Sequence, residues 1–521
     1  GIPLAIELAA ARTKLLSPEQ IAARLDDRFR LLVGGDRNRL PRQQTLRALI
    51  DWSYDLLSDE EKKFLQICSV FVGGWTLETL EAVADDANAF EYLGELINKS
   101  LVVAEEHHHE MRYFMLETIR QYAKEKLIEA NRDSVMSDRH FIHFSALSEK
   151  MWLAFFSTDL FTWRDTADDE ADNFRAALEW GLQHHIETAL DLAANFCLVS
   201  DSTANQAEGL AFLTSALERF RTLPPVEGES DTFRRRLLAK ALLVQGFVAT
   251  TSYAVTLGMQ AMQEAIIILR QLDDNKRMLG YSLELHYMGS SLINTIGEAE
   301  AEAKEGYIIL SEINDQWGLG LAYANMARVA LVNGEHAEFQ KFAALLKKWT
   351  QSAPQSYQVG FSYLNIGARL RWTDPEGAKE YYEEGLKIFR HLRHKNFETV
   401  LLNELGHVAR MTGKTTEAKG IYKQTLSDFQ DLGHRPAIAN QLECFAFIAI
   451  AEEEPERAAK LFGAAEALRE KVNAQMQDLE YVEYDNSVRR LRMLLNETEF
   501  NSLWELGRAL TMDEAIQFAL N

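Results

Sequence analysis

The sequence reads as a mainly α protein: a small module of helices closed by a β-hairpin, followed by an α-α superhelix of stacked helix pairs. Three observations predict this. Apolar residues recur at helical spacing through nearly the whole chain. One short stretch, LVVAEE to MRYFML, is rich in Val, Tyr and Phe instead and is broken by a polar turn. In the second half, alanines and glycines return about every forty positions.

Composition sets the frame. At 521 residues the chain is too long for one ordinary core, so roughly two to four domains are expected. Hydrophobic residues make up 47% and charged ones 26%, the balance of a soluble globular protein. With only nine prolines and 28 glycines, loops should be short and disorder limited. The net charge of −23 repels phosphate backbones and disfavours non-specific nucleic-acid binding. Cys68, Cys197 and Cys444 lie far apart and form neither a disulfide framework nor a thiolate metal site. They read as small buried hydrophobes of a reducing compartment, so a cytoplasmic location is expected. The longest apolar run, Cys444 to Ala451, falls far short of the ~20 residues of a membrane helix. No secretory segment precedes the first helix, and the opening on Gly1 inside a helical pattern suggests a piece of a longer chain.

Residues 1–45 form a locally basic helical segment, with eight Lys or Arg against five Asp or Glu. Leu4, Leu8, Ala11 and Leu15 keep helical spacing. A second helix starts at Ser17-Pro18-Glu19, with Ser as N-cap and Pro at the first helical position, and Gly34-Gly35 stops it.

Residues 46–130 change character. Helical patterns run through ALIDWSYDLL, DEEKKFLQICSVF, LETLEAVA and EYLGELINKS, then come the hairpin and a last helix, ETIRQYAKEKLIEA. Helices closed by a small hairpin describe a winged-helix domain. Its DNA-reading potential is low. Between Thr45 and Ala130 there are eight Lys or Arg and seventeen Asp or Glu, while a groove-docked helix needs basic phosphate contacts. Intramolecular packing is the expected use. The turn residues His107, His108 and His109 do not read as a metal site, because successive side chains on a hairpin alternate in direction.

A helical linker with the first helix pairs is expected over 131–233, repeats over 234–470 and a C-terminal helical cap over 471–521. The repeat carries its own register. Ala378, Ala418 and Ala458 are 40 apart, each followed by an aromatic at Tyr382, Tyr422 and Phe462. Upstream, Gly246, Gly289, Ala327, Gly367, Gly406 and Ala446 mark the first helix of six successive pairs, with gaps of 43, 38, 40, 39 and 40. A residue without a bulky side chain lets the neighbouring backbone approach. No pair can bury its apolar faces alone, so neighbours must stack. The period exceeds the roughly 34 residues of the tetratricopeptide repeat, which makes these tetratricopeptide-like units with longer helices.

Several segments together resemble one family. GIPLAIELAAAR and LDDRFRLLVGGDRNRLPRQQTLRALIDWSYDLL are followed by FVGGWTLE, INKSLVV, YFMLETIRQYAKEKL and DNFRAALEW, and near the end by LFGAAEALRE and the terminal GRAL-T-DEAI stretch. They are similar to the bacterial STAND-type regulatory ATPases, whose core is the NB-ARC module shared with plant resistance proteins and apoptotic activators. The resemblance implies a domain order: nucleotide-binding domain, small helical domain, winged helix, then a repeat sensor. It implies a regulator, often of transcription, with its output domain outside this chain. It also places Pro3 of Gly1-Ile2-Pro3 near an adenine, and it aligns Met115-Leu116-Glu117 with a Met-His-Asp motif whose histidine touches the ADP phosphate. Leu116 stands in place of that histidine and can donate no hydrogen bond.

A phosphate-cradling G-x-x-x-x-G-K-[ST] loop does not occur. The nearest string is Gly413-Lys414-Thr415, with six residues rather than four after Gly406 and no strand leading in. The repeat register puts a turn within a helix pair there. No cofactor is therefore expected in this chain; ATP or ADP would come only with the missing nucleotide-binding domain. No nucleophile with a base, paired carboxylates or metal-ligand spacing recommends an enzyme.

One candidate binding surface emerges. Asn403, His407 and Arg410 fall at i, i+4 and i+7 on the first helix of a pair, hence on one face. Arg371 matches one repeat earlier and Arg328 two repeats earlier. The expectation is a cationic strip on the inner surface that receives an acidic peptide or small anion; an ordinary wet face is the plainer alternative. The resulting expectation is a non-catalytic sensor and relay, with a protein, peptide or small-molecule effector on the repeats and the nucleotide domain as a second partner. A constitutive protein–protein scaffold without switching is the alternative.

Overall fold

The computed structural model describes residues 46–521 apart from 87, 108–109, 156–159, 201–205, 252–253, 273, 293–295, 353–356, 473, 475 and 477. The segment 1–45, with Pro3, lies outside the described residues, as do His108 and His109. The chain divides into two compact units, Gly1–Lys150 with Asp165–Leu192, and Met151–Arg164 with Ala193–Asn521.

The first unit begins with α1 (Leu46–Asp55), α2 (Asp59–Cys68), α3 (Leu77–Ala84), α4 (Ala89–Asn98), β1 (Val103–His107), β2 (Glu110–Phe114) and α5 (Glu117–Glu129). Local chemistry sets the boundaries. Ser58 and Glu61 form a reciprocal capping box at the start of α2, and Thr76 caps α3 by accepting from the Thr79 N–H. The α3–α4 turn opens at Asp85, which sits in the left-handed region at φ 53. The hairpin is antiparallel, running from Val103 opposite Phe114 to His107 opposite Glu110. Trp75 bonds both ways with the Tyr113 backbone and is wholly buried, stacked on Phe71 at 5.2 Å. Helices closed by a hairpin, as the sequence predicts, make this a winged helix.

The unit does not stop at residue 130, where a domain boundary is expected from the sequence. The helix α6 (Asp133–Phe155), through Lys150, and the helix α8 (Ala171–His184) belong to it; α7 (Leu160–Asp169) and α9 (Ile186–Ser200) straddle its edges. The reason is one buried polar knot. Asn173 on α8 accepts from the Val72 N–H at 2.8 Å and donates to the Gly74 carbonyl at 2.8 Å and to Glu170 at 2.6 Å. Arg112 on β2 donates to Glu170 at 2.6 Å and to the Asp169 carbonyl at 3.1 Å. His140 on α6 meets the Asn173 carbonyl oxygen at 3.3 Å. Buried polar groups must be paired, so helix, turn and wing are bound together. The segments FVGGWTLE and DNFRAALEW thus meet at Asn173.

In the second unit, α10 (Gln206–Arg221) precedes six helix pairs: α11 (Glu229–Thr251) with α12 (Val255–Leu272), α13 (Lys276–Leu292) with α14 (Ile296–Glu312), α15 (Gln316–Asn333) with α16 (His336–Ser352), α17 (Tyr357–Leu370) with α18 (Pro375–His391), α19 (Lys395–Met411) with α20 (Thr415–Asp431), and α21 (Arg435–Ala451) with α22 (Pro455–Val472). Helices of 17 residues, such as α18 to α21, account for the long period. The register residues do what their size requires. Ala378, Ala418 and Ala458 are fully buried, as are Tyr382, Tyr422 and Phe462. A Cβ on Gly367 would stand 2.5 Å from the Tyr382 ring and one on Gly406 2.6 Å from the Tyr422 ring. The glycine makes the socket and the aromatic of the partner helix fills it.

The chain ends with α23 (Asp478–Leu494), α24 (Glu497–Arg508) and α25 (Met512–Leu520). Gly463 on α22 and Gly507 on α24 allow those two backbones to touch: a Cβ on either would run into the other helix, at the Trp504 and Lys460 carbonyls. LFGAAEALRE and the terminal GRAL-T-DEAI stretch are the two sides of that crossing. Leu491, Leu495, Phe500, Ile516 and Ala519 continue the apolar core of the last repeat.

Candidate functional site

The five strip residues sit where the register places them, on α15 (Arg328), just after α17 (Arg371) and on α19 (Asn403, His407, Arg410). They are not an open wet surface. Arg371 is 3% exposed, His407 5%, Arg328 6% and Asn403 8%. Arg371, Asn403, His407 and Arg410 are built into a hydrogen-bonded interior.

Arg371 and Arg410 are already paired with carboxylates. Arg371 donates to Glu404 on α19, and its other amino group reaches Glu480 on α23 at 2.9 Å. Arg410 holds Glu483 of the same helix with two bonds, 2.7 and 2.8 Å, and lies over the Phe447 ring at 4.6 Å. Such a bidentate fork is the strong form of the ion pair. Burial opposes both charges, yet both guanidiniums stay above arginine's ordinary range. Glu404, Tyr382 and Glu480 achieve this around Arg371, and Tyr422 and Glu483 around Arg410.

His407 is not part of a cationic surface. Burial, then the positive charges of Arg371 and Arg410, hold its pKa well below the ordinary histidine value, so the ring is neutral. The Tyr422 hydroxyl lies 3.0 Å from one ring nitrogen and the Asn403 amide 3.3 Å from the other. Asn403 in turn accepts from Gln441. Beside this network, Glu443 on α21 is locked to Arg469 on α22 at 2.5 and 2.7 Å. Arg371, His407, Arg410, Glu443, Phe447, Glu480 and Glu483, with Trp372, Met411, Asn440 and Tyr484, line a small cleft open to solvent.

Arg371 and Arg410 are therefore closed into a charge network with Glu404 and with Glu480 and Glu483 of α23. The sequence pattern points to the arginines but not to Glu404, Glu480 and Glu483. A weak signal existed, since Glu480 and Glu483 lie three apart on one helical face, but such pairs are common on any wet helix.

Leu116 is 41% exposed and forms the entry to α5; the Glu117 that follows accepts from Arg120 at 2.7 and 2.8 Å. Gly413 takes φ 76 in the turn between α19 and α20, and Lys414 is ion-paired to Glu376 at 3.1 Å. That is a helix–helix turn and not a phosphate loop. His107 ends β1, with Asp169 at 3.5 Å. In the winged helix, α4 precedes the wing and occupies the reading-helix position, but it carries Glu91 and Glu95 and no Lys or Arg. Among the described residues no helix is long and apolar enough to cross a membrane.

Comparison with known proteins agrees with the first unit's architecture. Residues 57–128 match the family described as a winged helix-turn-helix domain. The chain therefore contains a winged helix-turn-helix domain. "Putative HTH-type transcriptional regulator Rv0890c" of Mycobacterium tuberculosis is 39% identical over 282 residues, 53% of this chain and 31% of that protein. A second protein of the same organism, "Uncharacterized protein Rv0894", is 43% identical over 149 residues, 27% of this chain and 38% of its own length. The chain thus spans about a third of the length of these relatives. Among solved structures, a Pyrococcus horikoshii STAND protein with a tetratricopeptide repeat sensor aligns with 98% of this chain and 73% of its own, at 17% identity and a TM-score of 0.49. A Rap protein in complex with Competence and Sporulation Factor aligns with 70% of this chain and 99% of its own, at 12% identity and a TM-score of 0.45.

Proposed function

We propose that this chain is the sensor and relay portion of a larger signal-transducing regulator of the STAND ATPase kind. It does no chemistry itself. Its repeats take a protein, peptide or small-molecule effector, and the event passes to a nucleotide-binding domain elsewhere in the longer protein. The observation that carries the reading is the fusion, in one chain, of a winged helix-turn-helix domain with six helix pairs. The relatives named as regulators of the helix-turn-helix type support the regulatory half of it.

The acidic face of α4 argues for a winged helix used in intramolecular packing, with DNA contact left to another domain. The switch would be a shift between closed and open domain arrangements, which needs only a few kcal/mol of differential binding. Calorimetry tests the reading: this chain should bind no ATP with micromolar affinity, and a longer protein with the nucleotide domain restored should. X-ray scattering of that longer protein should then differ between its ADP and ATP states. Tight ATP binding by this chain would remove the proposal, and superimposable scattering curves would leave only a static scaffold.

A further inference from the structure

The contact between α23 and the repeats is built like a ligand seated in a binding site. Its two ends are held differently. Leu491, near the C-terminal end, is fully buried in the core of the last repeat, and Leu495 just beyond it is nearly so. Toward the N-terminal end the attachment is by charge: Glu480 to Arg371, and Glu483 to Arg410. Between and beside these glutamates, Tyr481 is 56% and Val482 54% exposed. The apolar anchor of that half is Tyr484, whose ring lies 5.2 Å from that of Phe462.

The receiving side is pre-formed by the repeats. Arg371 is fixed by Glu404, which also accepts from the Tyr382 hydroxyl at 2.6 Å. Arg410 is stacked on Phe447, and Asn403, His407, Tyr422 and Gln441 brace the wall around it. The Nε–H of each guanidinium is buried and has no acceptor among the described residues. Each arginine therefore holds a donor that its present partners do not use. A buried cation cannot be left bare, because its desolvation would go uncompensated. If α23 leaves, Arg371 keeps Glu404, but Arg410 gives up the carboxylate of Glu483, and the vacated face favours another anion. The geometry fixes the kind: two carboxylates one helical turn apart, reaching two arginines that belong to successive repeats.

We propose that Arg371 and Arg410 form a docking site for an acidic peptide segment with carboxylates at i and i+3, and that the N-terminal half of α23 is its built-in competitor. This deepens the sensor reading and rests on it: effector binding and displacement of α23 are one exchange of carboxylate for carboxylate. The event would be felt along α23 into the apolar core that α24 and α25 share.

The test uses the whole chain and a fluorescein-labelled synthetic peptide with the sequence of residues 478–494. Fluorescence anisotropy should show at least tenfold tighter binding to the E480Q/E483Q chain than to the unaltered one. Adding R410Q to that variant should abolish binding, and a peptide with Gln at both Glu positions should not bind. Equal affinity for the unaltered and E480Q/E483Q chains, with circular dichroism showing both folded, overturns the competition. Should the double variant fail to fold, hydrogen exchange on the unaltered chain decides. Saturating peptide should speed exchange across 478–487 several-fold, and unchanged protection with the peptide bound, or no binding at any concentration, overturns the proposal. Either failure leaves effector binding elsewhere on the repeats intact, and the scattering comparison of nucleotide states judges that separately.

Discussion

Glu284 offers a direct test of how this repeat interior handles charge. It lies on α13 and is completely buried. Asn325, from α15, donates to its Oε2 at 2.7 Å and to its backbone carbonyl at 2.9 Å, while Oε1 has no partner among the described residues. One amide cannot sustain a carboxylate here, and burial pushes the pKa from 4.5 up to about 8, Asn325 opposing only in part. At neutral pH the folded chain therefore carries a proton that the unfolded chain has lost. The folded pKa is raised, so the stability this group contributes is fully present below pH 4.5 and is lost as pH rises through 8. Replacing it by glutamine removes the titration while keeping the shape and an acceptor for Asn325. The stability difference between E284Q and the parent should widen in the variant's favour by about 1.4 kcal/mol per pH unit between pH 5 and 8. Its origin at pH 5 should lie about 1–2 kcal/mol on the destabilised side, because the new amide brings a second donor without an acceptor. Urea unfolding followed by circular dichroism at pH 5, 6, 7 and 8 measures this. A difference that stays constant with pH, or shrinks as pH rises, would show that Glu284 is ionised in the folded chain and that the reasoning is wrong.

Three further perturbations follow from the packing. Ala418→Arg should destabilise by about 1–3 kcal/mol or more, because the side chain has no room against its partner helix; an unchanged melting temperature would mean that the forty-residue register is misassigned. Gly406→Ala should cost a comparable amount, about 1–3 kcal/mol, as its Cβ meets the Tyr422 ring, and pairing it with Tyr422→Leu should recover part of the loss in a double-mutant cycle. Asn173→Ala should cost about 2–4 kcal/mol in the first unit by orphaning the Val72 N–H, the Gly74 carbonyl and a Glu170 oxygen together, read as a lowered melting temperature. The same knot has an acid signature. Burial lowers His140 from 6.5 to about 3, only partly opposed by Asn173, so its contribution is present above pH 6.5 and is lost as pH falls toward 3. A His140→Asn variant that folds should show a flatter acid limb over that window.

Much of the fold was legible because it is a matter of periodicity and side-chain size. Val, Tyr and Phe on either side of a polar turn announced the hairpin at 103–114, and the small residues from Gly246 to Ala446 announced six pairs. Less was legible wherever a residue's neighbour lies far along the chain. Asn173 looks like any helix-surface asparagine until Val72 and Gly74 are brought against it from about a hundred positions away. The compact unit runs past the winged helix for the same reason: the helices after 130 read as linker, and their polar contacts tie them to it.

The candidate site divides along the same line. Helical geometry alone put Asn403, His407 and Arg410 on one face and matched them to Arg371 and Arg328, because a residue's angle about its own helix depends on spacing alone. Whether that face met water, a ligand or the protein itself was beyond any local pattern. Glu480 stands 109 positions from Arg371, and Glu483 stands 73 from Arg410. The direction of a side chain is fixed by a few neighbouring backbone angles. The identity of what it touches is fixed by the packing of the whole chain, and it was the fold of α23 across the repeats that set Glu480 and Glu483 against Arg371 and Arg410.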